Sequence, residues 1–279
     1  MHVKSRRLYQ AFKYTVYALL AFNVYLFFDE ELAAAALQFP NGVALVDIIE
    51  AYSATIDTLA WVVLLLMFEL ETYVLEDEDF TRPIAWTLHG LRAVCYAFIV
   101  YAFYGYIQNL LFVSDIVPLA GVTNLCELLP GDWSWAVTLD EYVGITAANC
   151  AGWSVAGAFV QFRDLPAVVD TAGVTEIIRL AWVDVINAGV WLLVVLVLEI
   201  DVRLQERNRY EGLALRLSNV AKFLLYSTLL LAAVYWGVKG DFVDFWDAFL
   251  WLVAFVFIEL NVFEWRQEDK AALAVEKAQ

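Results

Sequence analysis

Histidine and cysteine are scarce: two and three in 279 residues. Bis-histidine haem, multi-histidine metal centres and cysteine-ligated clusters need more ligands than that, so no cofactor and no metal is expected. Neither histidine falls within the core of an apolar run, and no nucleophile–base pair stands out, which disfavours an enzyme acting on lipid or quinone. Charge is also thin, at 18%, and basic charge thinner: 17 Lys and Arg stand against 33 Asp and Glu, a net of −16. That balance disfavours nucleic acid and any polybasic membrane patch.

What fills the chain is apolar. Hydrophobic residues make up 62%, against about 45–50% in a typical globular protein. Mean hydropathy is +0.66, and aromatics are heavy, with 11 Trp, 14 Tyr and 19 Phe. This is the composition of an integral membrane protein, all-α in class. A spanning helix needs roughly 20 mostly apolar residues. Six segments qualify, near 12–28, 54–75, 86–112, 182–202, 218–238 and 243–263. The first follows the basic stretch Met1–Arg7 but runs into Phe27-Phe28-Asp29-Glu30 with no small-residue cleavage site, so it reads as a retained helix. With both termini on the cytoplasmic side, 14 of the 17 Lys and Arg fall inside, leaving Arg163, Arg179 and Lys239 outside. The expected location is the inner (plasma) membrane of the cell.

The six segments pair as three hairpins in one 1–279 domain. Their even helices align without gaps: Asp57, Trp61, Glu69 and Glu71 fall at the same offsets as Asn187, Trp191, Glu199 and Asp201, and as Asp247, Trp251, Glu259 and Asn261. The odd helices align on Lys13-x3-Tyr17, Arg92-x3-Tyr96 and Lys222-x3-Tyr226. All three units run the same way, a parallel repeat of the kind transport folds use around an axis. Three hairpins in this length are also the layout of mitochondrial carriers. That family needs Pro-x-acid-x-x-base at the end of each odd helix, and Pro40, Pro83, Pro118, Pro130 and Pro166 supply none.

The loop at about 113–178 is too long for a plain connection and is expected to fold as an extracytoplasmic cap between the third and fourth helices. Within it, Tyr142 to Phe162 is apolar enough to tempt a seventh span, which the repeat and the charge count forbid. Cys126 and Cys150 share this loop on the oxidising side and are expected to be bridged. Cys95 lies in the third span and reads as packing.

Ionisable groups within spans usually face protein or water. Lys13 with Glu69, Arg92 with Glu199 and Lys222 with Glu259 can meet within each hairpin at matching depth, as structural ion pairs or as a relay at the inner mouth. Two residues turn a helix by about 200°, so Glu71, Asp201 and Asn261 face away from the first set, and the deeper first set is expected inside. At the outer ends Asp57, Asp184, Asp244 and Asp247, together with Asp29, Glu30, Glu31, Asp47 and Glu50, form an acidic mouth that would concentrate cations. The leading expectation is a cation channel or transporter, with lipid and cations as partners and self-association or partner membrane subunits around it. The alternative is a non-conducting membrane subunit or scaffold whose charges are structural pairs.

Overall fold

The computed structural model describes residues 3–39, 41–73, 81–153, 158–163, 165–206 and 212–257. Among the described residues, five helices are long and apolar enough to cross a membrane, within Leu8–Gln38, Ser53–Glu71, Arg82–Ser114, Thr171–Leu204 and Leu213–Lys239. They belong to α1 (Val3–Gln38), α3 (Ser53–Tyr73), α4 (Arg82–Ser114), α5 (Thr171–Glu206) and α6 (Leu213–Lys239). A one-turn α2 (Ile48–Ala51) precedes α3. A further helix, α7, is described over 242–257. Large apolar side chains such as Phe22, Leu66, Phe98, Leu193 and Phe223 lie exposed on these helices, an outward apolar surface that belongs in lipid rather than in water.

The helix ends follow local chemistry. Pro83 in the first turn presets the backbone of α4. Asp170 caps α5 by accepting the Gly173 N–H. α1 and α5 have 36 residues each and α4 has 33, lengths of roughly 50–54 Å at 1.5 Å per residue, well beyond the roughly 30 Å of a hydrocarbon core. The excess carries the segment between α4 and α5.

That segment is a five-stranded sheet, which the purely helical expectation did not include. Strands β1 (Ile116–Pro118), β2 (Ser134–Ala136), β3 (Tyr142–Gly144), β4 (Phe159–Phe162) and β5 (Ala167–Asp170) lie in the order β1-β4-β5-β2-β3. All neighbours are antiparallel except β2 and β5. Alternation along the strands splits the core in two. Val160, Phe162, Ala167 and Val169 pack with Leu110 and Val113 of α4 and Val174, Ile177 and Ala181 of α5. Phe159 and Val168 point the other way, onto Leu125, Leu128, Ile145 and Cys150. The apolar run Tyr142 to Phe162 therefore holds the edge strand β3, a set of turns and β4, with residues 154–157 outside the described residues; of the two strands, β4 is the one covered on both faces.

Cys126 and Cys150 form the expected disulfide, Cα atoms 5.0 Å apart, tying the 3₁₀ turn Leu125–Leu128 to the turn after β3. Cys95 is buried and free. Closing a loop of 24 residues stabilises by roughly 3 kcal/mol through the unfolded chain. Cys126→Ser should lower the stability of the sheet by that amount, read as faster amide exchange in β2 and β5. Unchanged exchange would show that the bond contributes nothing there.

The chain divides into two compact units, 1–23 with 226–279, and 24–225. In the first, Val16, Leu20, Leu229, Ala233, Trp251 and Ala254 are buried, and Tyr9 and Phe12 set their ring edges on Phe257 at 5.2 and 5.5 Å. In the second, Ala60, Cys95 and Ile99 form a small core between α3 and α4, with Trp61 and Leu192 against it. The two tryptophans that share an offset in the sequence pattern, Trp61 and Trp191, touch there, ring centroids 6.1 Å apart.

Candidate functional site: paired charges and an acidic pocket

Two of the bases placed by sequence at one end of the spans, Arg92 and Lys222, are paired with acids, and Arg92 is not paired as expected. Arg92 Nη2 donates to both carboxylate oxygens of Glu71, at 2.8 and 2.6 Å. Lys222 Nζ donates to Asp201 at 3.0 Å, and Ser218 Oγ donates to the same oxygen at 2.6 Å. Both acid–base pairs are separated by 21 residues. They therefore join the even helix of one sequence hairpin to the odd helix of the next, across the connection between them.

This corrects the pairing of Arg92 with Glu199. Glu199 is exposed on α5 and bonds Arg203 one turn on, at 2.9 Å. It also corrects which acid of α5 faces inward: Asp201 is 2% exposed. The reason is the 200° step between them. With Asp201 turned toward Lys222, Glu199 must turn away. In α3 it is Glu69, at 7%, that is buried. Lys13 is fully buried, with its ammonium 5.1 Å from the Tyr14 ring. Lys222 is taken by Asp201, and Glu259 and Asn261 lie outside the described residues.

The acids expected at the opposite mouth are dispersed. Asp57, Asp184, Asp244 and Asp247 are all half-buried within their helices. Asp247 accepts the Asn23 amide at 2.8 Å and the Trp251 N–H. Three other carboxyl groups line one pocket instead. This small open pocket, with room of about 10 Å³ for one water-sized particle, is lined by Glu31, Ala34 and Gln38 of α1, Glu50 and Ala51 of α2, Asn109 and Phe112 of α4, and Leu139 and Asp140. Leu139 and Asp140 sit in the tight turn joining β2 to β3, closed by Val137 N–H on the Glu141 carbonyl.

Two features build this pocket. The Glu31 carboxyl oxygens accept the Ala54 and Thr55 N–H groups at 2.7 and 3.0 Å, so a side chain of α1 caps the first turn of α3. Gly105 lets α2 lie against α4: a Cβ there would stand 2.6 Å from the Ile49 carbonyl oxygen and 2.9 Å from Ser53 Cβ. α2 in turn carries Glu50. Burial first, and then the neighbouring Asp47, push the Glu50 carboxyl above the usual carboxylate range. Gln38 Nε2 reaches the Tyr142 hydroxyl at 3.4 Å, tying α1 to β3 beside the pocket.

Of the residues lining the pocket, the sequence places Glu31 and Glu50 among the acids of the mouth, but not Gln38 or Asp140. Neither carries a local signal, because Asp140 reaches the pocket only through the pairing of β2 with β3. Among the described residues no group of three or more His, Cys, Asp and Glu side chains is placed to hold a metal ion. No family model matches this chain, and neither a curated protein nor a solved structure is similar to it.

Proposed function

We propose that the chain is a six-span membrane protein that takes small cations from the outer medium at the Glu31–Glu50–Asp140 pocket and passes them into or across the bilayer. The observation that carries this reading is the wall of that pocket, which holds three carboxyl groups, two amides and no basic side chain. At the other end of the helices Glu71, Asp201 and Glu199 each hold a base. An acidic concavity without a counter-charge concentrates cations. Glu31 already serves the end of α3, so Glu50 and Asp140 act on the cation.

In this proposal the helices form three parallel-repeated hairpins, both termini are cytoplasmic, and the sheet segment is the extracytoplasmic cap. The protein sits in the inner membrane among lipid, as a homo-oligomer or with partner membrane subunits, and is not an enzyme. The 14-to-3 distribution of Lys and Arg supports the orientation. The test is monovalent-cation uptake into liposomes. Glu50→Gln and Asp140→Asn should each reduce it about tenfold, equivalent to roughly 1.4 kcal/mol of binding.

The sign with pH follows from Glu50. Its raised proton affinity neutralises the pocket early on acidification, so uptake should fall with a midpoint above the ordinary carboxylate range. Uptake equal in both variants and in the parent would end this reading.

A second reading, a non-conducting scaffold, is favoured by one observation: the Glu71–Arg92 and Asp201–Lys222 pairs fasten consecutive hairpins at the same spacing. Folded protein that moves no cation would leave that one standing.

A further inference from the structure

The compact unit formed by 1–23 and 226–279 contains a second polar site. α6 ends at Gly240, whose φ of 88° lets the Gly240 and Asp241 N–H groups both return to the Trp236 carbonyl. Asp241 lies just before α7 and Asp244 in its first turn, both half-buried. One turn deeper lies Asp247, which accepts from Asn23 Nδ2 at 2.8 Å and from Trp251. Asn23 is fully buried in α1, and its carbonyl oxygen has no hydrogen-bond partner among the described residues.

That orphan oxygen is the informative atom. A buried amide carbonyl left unbonded is costly, and here its own amide group faces a carboxyl that exists in two forms. An ionised Asp247 accepts from Asn23 Nδ2, as observed. A protonated Asp247 has an O–H to donate, and half a turn of the Asn23 amide presents the carbonyl oxygen to receive it. Each protonation state has a matching amide orientation, and neither needs a metal.

We propose that Asp247 and Asn23 form a proton-binding site within this unit, loaded from the water at the Gly240 turn by way of Asp241 and Asp244. The step consumes one aqueous proton, converts the Asp247 carboxylate to a carboxyl group, and reverses on release. The other titratable groups of this unit on these elements include Asp241 just before α7 and Asp244 within it, Tyr9, Lys13, Tyr14 and Tyr17 on α1, and Tyr226, Tyr235 and Lys239 on α6, where the Lys239 ammonium stands 5.6 Å from the Tyr235 ring. The proposal deepens the cation-uptake reading by giving the protein a proton to exchange, but it stands on separate residues.

The test is infrared difference spectroscopy of the whole protein in detergent across a pH titration, with and without Asp247→Asn. A carboxyl C=O band that grows on acidification and is lost in Asp247→Asn is the expected result. Asn23→Leu keeps the carboxyl but removes its amide donor, which disfavours the charged form, so the same band should persist with its midpoint moved to higher pH. That second variant answers the question even where Asp247→Asn does not fold. An Asp247 that stays ionised, or stays protonated, at every pH overturns the proposal, as does an Asn23→Leu midpoint identical to the parent's. No gradient is used, so titration at Asp247 in a protein that moves no cation removes the uptake reading alone.

Discussion

Lys222→Met should destabilise the protein by about 3–5 kcal/mol, the cost of stranding a buried charge when its partner is removed. Asp201 sits in α5 with 3% of its side chain exposed, and Lys222 in α6 with 14%. After the substitution the Ser218 hydroxyl still bonds Asp201, but it is a neutral donor for a full charge in a helix that faces lipid. Asp201→Asn removes the charge instead. The double variant should recover at least half of the loss, because the two sites share one interaction. The measurement is unfolding in mixed micelles, with the four proteins of the cycle compared at equal detergent. Independent, additive losses would show that the pair is not coupled.

The Glu71–Arg92 pair sets the contrast. Its side chains are 22% and 35% exposed, so solvent screens it, and Arg92→Met should cost roughly 1 kcal/mol or less. The same spacing of 21 residues thus yields two bonds of unequal weight, decided by depth rather than by sequence.

Depth and facing also mark where the sequence stopped being readable. The long apolar helices were legible because each contains a run near 20 residues that only lipid or a core can hold. The Cys126–Cys150 bridge was legible because both cysteines fall in one connecting segment. Which acid of α5 turns inward was not. Glu199 and Asp201 point oppositely by helix geometry, and the choice between them belongs to Lys222 and Ser218 on another helix. The sheet was hidden for a similar reason. Its strands are three or four residues long, and they exist through pairings such as β2 with β5, remote in sequence. Asp140 enters the pocket only by that route. In Asp29-Glu30-Glu31 three acids look alike in sequence, yet only Glu31 is buried.

Glu31 supplies the second large effect. Glu31→Leu should cost about 2–6 kcal/mol, since it strips the Ala54 and Thr55 N–H groups of their acceptors, at roughly 1–3 kcal/mol for each buried donor left unbonded. Leucine does not relieve the loss, because the two N–H groups keep their positions on a helix that α1 and α4 hold in place; Asn109 Nδ2 donates to Ser53 Oγ at 3.2 Å just before them. Glu31→Gln retains one acceptor oxygen of similar shape and should lose about half as much. Glu50→Gln, in the same pocket but off the helix end, should leave stability within about 0.5 kcal/mol, as surface-type changes do, while reducing cation uptake. Unfolding midpoints and uptake rates measured on the three variants separate the carboxyl that holds the fold from the one that meets the cation. Equal stability of Glu31→Leu and the parent would remove Glu31 from the framework and return it to the cation site.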